Sequence, residues 1–202
     1  MRRCAALALA TSGLLMLSAG CTGATRDDAD RPESAASAAL EPSRPTVVQG
    51  MFAAYTPGAT AVTYDPKLVP PGSEAHLSIA AVADSTTVTL RVSGLVPNHD
   101  YGVHLHTMPC GADAAMAGPH YQHQPDPAAS ASPPSTNPAY DNPQNEVWLD
   151  LRTNVQGIGH SRSTQPWRFS TPARSMVIHA KRTQAADGMA GMAGTRLACL
   201  TL

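Results

Sequence analysis

The sequence predicts an all-β domain, a Greek-key β-sandwich or flattened β-barrel of about eight antiparallel strands with long functional loops. Three observations carry that expectation. Short runs alternate apolar and polar residues with the two-residue period of a half-buried strand. Proline and glycine punctuate them, with 18 and 15 copies in 202 residues. No long stretch shows a helical apolar period that would compete. Residues 86–92 are the clearest case: Val88, Leu90 and Val92 share one face, and Thr87, Thr89 and Arg91 share the other. Similar runs occupy 47–55, 61–64, 75–82, 101–106, 147–153, 167–169, 175–180 and 196–202. Between Thr107 and Asn145 lies a segment rich in Pro, Ala, Ser and Asn, too long for a hairpin connection and of the kind that carries function or disorder.

The chain ahead of the strands has a different character. Arg2 and Arg3, an apolar run over 5–17 and then Ser18-Ala19-Gly20-Cys21 have the layout of a secretory signal peptide over residues 1–20. Cys21 after Ala-Gly resembles a bacterial lipobox, so a lipid anchor on Cys21 is expected, with plain secretion as the other outcome because Ser18 stands where Leu, Val or Ile is usual. Residues 21–45 are Ala, Ser, Asp, Arg and Pro with almost no large apolar side chain, a composition that reads as a flexible tether. The folded domain is expected over 46–202. A formal net charge of -1 and a sequence pI near 6.7 give no bulk attraction to nucleic acid or to an anionic membrane.

Of four cysteines, Cys4 leaves with the signal and lipidation would consume Cys21, which leaves Cys110 and Cys199 in the folded part. An oxidising compartment favours their pairing.

His104 and His106 are two apart in Tyr-Gly-Val-His-Leu-His, so on a strand both imidazoles leave the same face. Alone, that pair does not decide between half of a metal chelate and two surface imidazoles. His179 ends the apolar run Ser175-Met176-Val177-Ile178, where a polar ring needs a partner or a metal. His120 follows a tight Gly118-Pro119 turn in the long loop. Four imidazoles without a free thiolate favour copper, with zinc second.

These residues stand in an order that resembles the motif series of copper/zinc superoxide dismutases. His104-Leu-His106 comes first, then Cys110, Gly118-Pro-His120-Tyr and Val177-Ile178-His179-Ala180. The closing Ala193-Gly194-Thr195-Arg196-Leu197-Ala198-Cys199 is the most specific part. The resemblance implies a copper site of His104, His106, His120 and His179, a disulfide between Cys110 and Cys199, and an active-site arginine, Arg196, that draws in the small anion. It also implies conversion of superoxide to dioxygen and hydrogen peroxide, with superoxide as the substrate.

The pattern departs from the family where zinc is held. Residues 121–145 contain one histidine, His123, with Asp126 and Asp141, and Glu146 follows. His123 is the single candidate for a degenerate zinc site, and the expectation is copper with zinc absent or poorly held. His120 is then an ordinary copper ligand. Between His179 and Gly194 the loop has one carboxylate, Asp187, and two methionines, Met189 and Met192, whose thioethers suit Cu(I) but are more often plain loop residues. His76, His99 and His160 read as surface residues. The expected location is the extracytoplasmic face of the cell membrane, and the alternative to an enzyme is an envelope lipoprotein that binds copper without turnover. Sequence alone leaves the oligomeric state open.

Overall fold

The computed structural model describes residues 44–130 and 134–202, so the expected signal peptide, Cys21 and nearly all of the expected tether lie outside the described residues. Among the described residues nine strands form: β1 (Thr46–Met51), β2 (Ala61–Thr63), β3 (Glu74–Val82), β4 (Ser85–Ser93), β5 (Asp100–His106), β6 (Leu151–Arg152), β7 (Gly159–Gln165), β8 (Ser175–His179) and β9 (Arg196–Thr201). Among the described residues the one helix is a 3₁₀ turn at Ala114–Ala117, opened by Asp113, whose carboxylate accepts from the Ala115 amide at 2.8 Å. The strands make two antiparallel sheets, ordered β1-β3-β4-β7 and β2-β9-β8-β5-β6.

Alternation explains how the sheets meet. On β4, Val88, Leu90 and Val92 are buried while Thr89 and Arg91 are exposed. Register places Leu90 beside Leu77 of β3, and Val92 beside Ala75. From the other sheet Val103 and Leu105 of β5, Met176 and Ile178 of β8, and Leu200 of β9 complete one apolar core. Leu90 is fully buried there, so Leu90→Ala is expected to cost about 2–5 kcal/mol in denaturant unfolding. Thr89→Ala on the exposed face should stay within about 0.5 kcal/mol.

The five-stranded sheet is unusual in burying its second face as well. Every residue of β8 is buried, and of β5 all but Asp100. Val103, Leu105, Met176 and Ile178 point to the core, so His104, His106, Val177 and His179 point away from it, under the long loops. There Ala117, Val177 and Cys199 form a second small cluster.

Two expected strands differ. Trp167–Phe169 is not a strand, although the two aromatic rings pack together, centroids 5.7 Å apart. Residues 147–153 yield only the short β6, because the Asp150 carboxylate takes the Val103 amide at 3.3 Å and interrupts the backbone ladder. Before β6 the segment still tracks β5, with Leu149 N donating to Val103 O at 2.8 Å. Strand β7 was not expected, since its inward positions are Gly159, Ser161, Ser163 and Gln165 rather than apolar residues.

Candidate metal centre

The four histidines singled out above meet at one point on the loop-covered face. Their candidate ligand atoms all lie within 4.8 Å of one another. Backbone pairing brings them there. His104 and His106 sit on β5, and His179 is paired with Gly102 one step along the neighbouring strand. His120 is delivered by the loop, which turns back after Gly118 and bridges to His106, with Tyr121 N donating to Leu105 O at 2.8 Å. Ring centroids are 4.1 Å apart for His104 and His120 and 4.8 Å for His106 and His120.

Two glycines make the approach feasible. A Cβ on Gly102 would lie 2.6 Å from both the Ala193 Cβ and the Lys181 carbonyl, so only glycine lets the last long loop lie on β5. Gly118 has φ 72°, the left-handed region that favours glycine, and its carbonyl serves two partners of the site.

Each ring has one nitrogen held by the protein. His106 Nδ1 donates to Gly118 O at 3.0 Å, and His179 Nδ1 lies 3.3 Å from Gly194 O. His120 Nδ1 lies 3.0 Å from Glu146 Oε2. His104 Nε2 lies 2.7 Å from Thr183 Oγ1. The opposite nitrogens face one another: His106 Nε2 and His179 Nε2 are 3.4 Å apart, and His104 Nδ1 is buried with no hydrogen-bond partner. That is an arrangement of acceptors without donors, which a cation satisfies.

Burial and mutual repulsion keep the His104, His106 and His179 rings neutral. Desolvation, then the neighbouring histidines, push His104 well below the ordinary value, and His106 likewise with Arg196 adding to the effect. Burial and His120 bring His179 down to about 3. Neutral imidazoles are the form that binds a metal.

Arg196 sits beside the cluster at the start of β9. Its guanidinium donates to Gly118 O at 2.7 Å and Ala114 O at 3.0 Å, so the same carbonyl orients both Arg196 and His106. Cys110 and Cys199 form the expected disulfide, which ties this loop to β9. A cleft of about 810 Å³ opens onto His120, His179 and Arg196, with Tyr121, Pro125 and Met192 on its walls. His104 and His106 are fully buried beneath it.

His123 does not join the cluster. Its ring stacks on Trp167, centroids 4.7 Å apart and planes 5° from parallel. The residues that gather on the far side of His120 are Asp141 and Glu146. Between them lies the Gln122 amide, whose nitrogen donates to Asp141 Oδ1 at 3.1 Å and Glu146 Oε1 at 3.0 Å. Trp148 Nε1 donates to Glu146 Oε2 at 2.7 Å. Burial alone would raise Glu146, but His120 and these hydrogen bonds outweigh it and hold the carboxyl below its ordinary value. Asp141, with less support, is pushed up by burial to about 6.

Among the other residues considered, Met189 and Met192 are both exposed, and only Met192 lines the cleft. His76 and His160 are exposed as expected. His99 is half-buried instead, its ring 4.5 Å from that of Tyr101. Glu146, Asp150 and Thr183 were not expected at the site as orienting groups. The weak sequence signal was the pair of carboxylates in Glu146-Val-Trp-Leu-Asp150.

The fold and site define a β-sandwich with a four-histidine cluster able to hold a metal. The family model described as copper/zinc superoxide dismutase (SODC) matches residues 74–201, and the chain belongs to that family. Among solved structures, the Cu/Zn superoxide dismutase from Brucella abortus is similar, with a TM-score of 0.50 and 18% identity over 78% of this chain and 99% of that one. A double mutant of a superoxide dismutase-like protein from Bacillus subtilis gives a TM-score of 0.47 and 16% identity over 63% of this chain and 87% of that one. No curated protein matches the sequence.

Proposed function

We propose that the protein is a superoxide dismutase of the cell envelope, converting two superoxide ions and two protons to dioxygen and hydrogen peroxide at a copper ion held by His104, His106, His120 and His179. The observation that carries this reading is the convergence of four imidazole nitrogens, with the buried and unpartnered His104 Nδ1 foremost, beside a fixed guanidinium. Bound copper supplies a one-electron couple that takes an electron from one superoxide and returns it to another.

The chain's own groups do the rest. Arg196, anchored on two backbone carbonyls, places a positive charge at the cleft where a small anion enters. Burial excludes water from His104 and His106 and leaves approach from the His120 and His179 side. Glu146 fixes the His120 ring from behind, a task a second metal performs in a two-metal site. Zinc is not needed for this, and Gln122 already occupies Asp141 Oδ1 and Glu146 Oε1, leaving Asp141 Oδ2 buried without a partner. An extracytoplasmic setting with a lipid on Cys21 is supported by the N-terminal pattern and by a disulfide that an oxidising compartment favours.

Mature protein loaded with copper should contain one copper and little zinc by metal analysis and should remove superoxide faster than free copper in stopped flow. Stoichiometric copper without such turnover would leave the copper-binding lipoprotein; no copper uptake would end both readings. Arg196→Ala should slow turnover by about tenfold and flatten its ionic-strength dependence while copper stays bound.

A further inference from the structure

We infer that Thr183 and Asp150 form a positioning pair that decides which nitrogen of His104 faces the metal, an inference that rests on the copper-site reading above. The Thr183 hydroxyl lies 2.6 Å from Asp150 Oδ1 and 2.7 Å from His104 Nε2. A carboxylate accepts only, so the hydroxyl hydrogen goes to Asp150. The oxygen of Thr183 is then an acceptor toward His104, and His104 carries its proton on Nε2. Nδ1 is left as a bare lone pair in the middle of the cluster. His104 thereby differs from His106, His179 and His120, whose Nδ1 atoms are the ones held by the protein.

The other tautomer has no support. With its proton on Nδ1, His104 would aim an N–H into the cluster, and the described residues give that atom no acceptor. His104 Nε2 is 4.0 Å from Asp150 Oδ1, too far for a direct hydrogen bond, so Thr183 is a necessary link.

The pair is held on both sides. Asp150 accepts from the Thr183 amide at 2.7 Å through Oδ2 and from the Val103 amide at 3.3 Å through Oδ1. It therefore grips the strand that carries His104 and the loop that carries Thr183. That loop is pinned again by Lys181 N to Ala193 O and by Gln184 N to Met192 O, both at 2.9 Å. Glu146, four residues before Asp150, holds His120. One segment thus orients two of the four rings, one directly and one through a hydroxyl.

The test uses ¹⁵N-labelled mature protein and reads the His104 tautomer in long-range ¹H–¹⁵N spectra of the metal-free form. Wild type should show Nε2–H. Thr183→Val, which keeps the shape and removes the hydroxyl, should give a mixture or Nδ1–H, and Thr183→Ser should restore Nε2–H. Competition of Cu(II) against a chelator should show 10- to 100-fold weaker binding for Thr183→Val, about the effect of losing a metal ligand's orienting partner, with recovery in Thr183→Ser. Asp150→Asn tests the same link should the valine variant not fold, and it should also weaken Nε2–H. An unchanged tautomer and copper affinity in Thr183→Val and Asp150→Asn would overturn the pair. A tautomer change in protein that takes up no copper would instead keep the pair and sink the copper reading.

Discussion

Metal-free protein is expected to lose its fold between about pH 6 and pH 4, and copper to move that transition to lower pH. The sign follows from three rings. His104, His106 and His179 are all depressed in the fold, His179 to about 3, against an ordinary value of 6.5. As pH falls through 6.5 the unfolded chain takes up these protons and the native state does not, so stability is full above that value and drains away below it. Asp141 works the other way. Its raised value of about 6 means that the native state gains a proton that the unfolded chain takes up only near 3.8. Three sites against one leave a net loss on the order of a few kcal/mol as pH falls below 6.5, at about 1.4 kcal/mol per unbalanced proton and pH unit. That is a large part of an ordinary domain stability of about 5–15 kcal/mol. Glu146, depressed in the fold, adds a further loss at still lower pH.

On the proposed reading, copper would reverse this by binding only the deprotonated ligands of the native state. At a free concentration about 1,000 times its dissociation constant it contributes about 4 kcal/mol. Acid titrations followed by tryptophan fluorescence and near-ultraviolet dichroism, with and without copper, measure both midpoints. His106→Leu should flatten the metal-free profile, because it removes one of the three protons. A metal-free midpoint below pH 3, or one indifferent to copper, contradicts the account of a buried neutral cluster.

What was legible in the sequence follows from how each feature is encoded. Strands β3, β4 and β8 were readable because local alternation or an apolar run reports burial directly. Strand β7 was not, because it places Ser161 and Ser163 at its inward positions and buries the polar Gln165 at its end, with the Gln165 amide donating to Glu146 O at 2.8 Å. Trp167 and Phe169 look like strand residues but serve as a packing platform for Tyr121 and His123. The histidines were readable through motif order and through the two-residue spacing of His104 and His106. Their orienting groups were not: Thr183 lies 79 residues from His104, and Glu146 lies 26 from His120. Such contacts depend on where loops return in space, and no periodicity records that. The disulfide was accessible by subtraction, since so few cysteines remain in the folded part.

Removal of the Cys110–Cys199 disulfide is expected to lower the melting temperature by about 10 °C and to harm turnover more than copper binding. The bond closes a loop with a sequence separation of 89, for which the chain-entropy model gives about 4–5 kcal/mol. At about 2–4 °C per kcal/mol for a domain of this size, the shift is about 8–20 °C. The loop does not come free altogether. Tyr64 OH still donates to Gly111 O at 2.9 Å, Ser175 Oγ to Met108 O at 2.7 Å, and the residue 110 amide to Thr201 Oγ1 at 3.1 Å. What loosens is the stretch between these ties and the Met108 N to Ala117 O bond at 3.0 Å, which includes Ala114, whose carbonyl with that of Gly118 holds the Arg196 guanidinium. Three of the four histidines keep their own anchors, at Glu146, Gly194 and Thr183, so copper should remain bound while the guanidinium loses its fixed position. Paired Cys110→Ser and Cys199→Ser substitutions, compared with Arg196→Ala in the same turnover and copper-content assays, separate the two effects. If copper leaves in step with activity, the disulfide acts on the histidines through Gly118 and His106 rather than on Arg196.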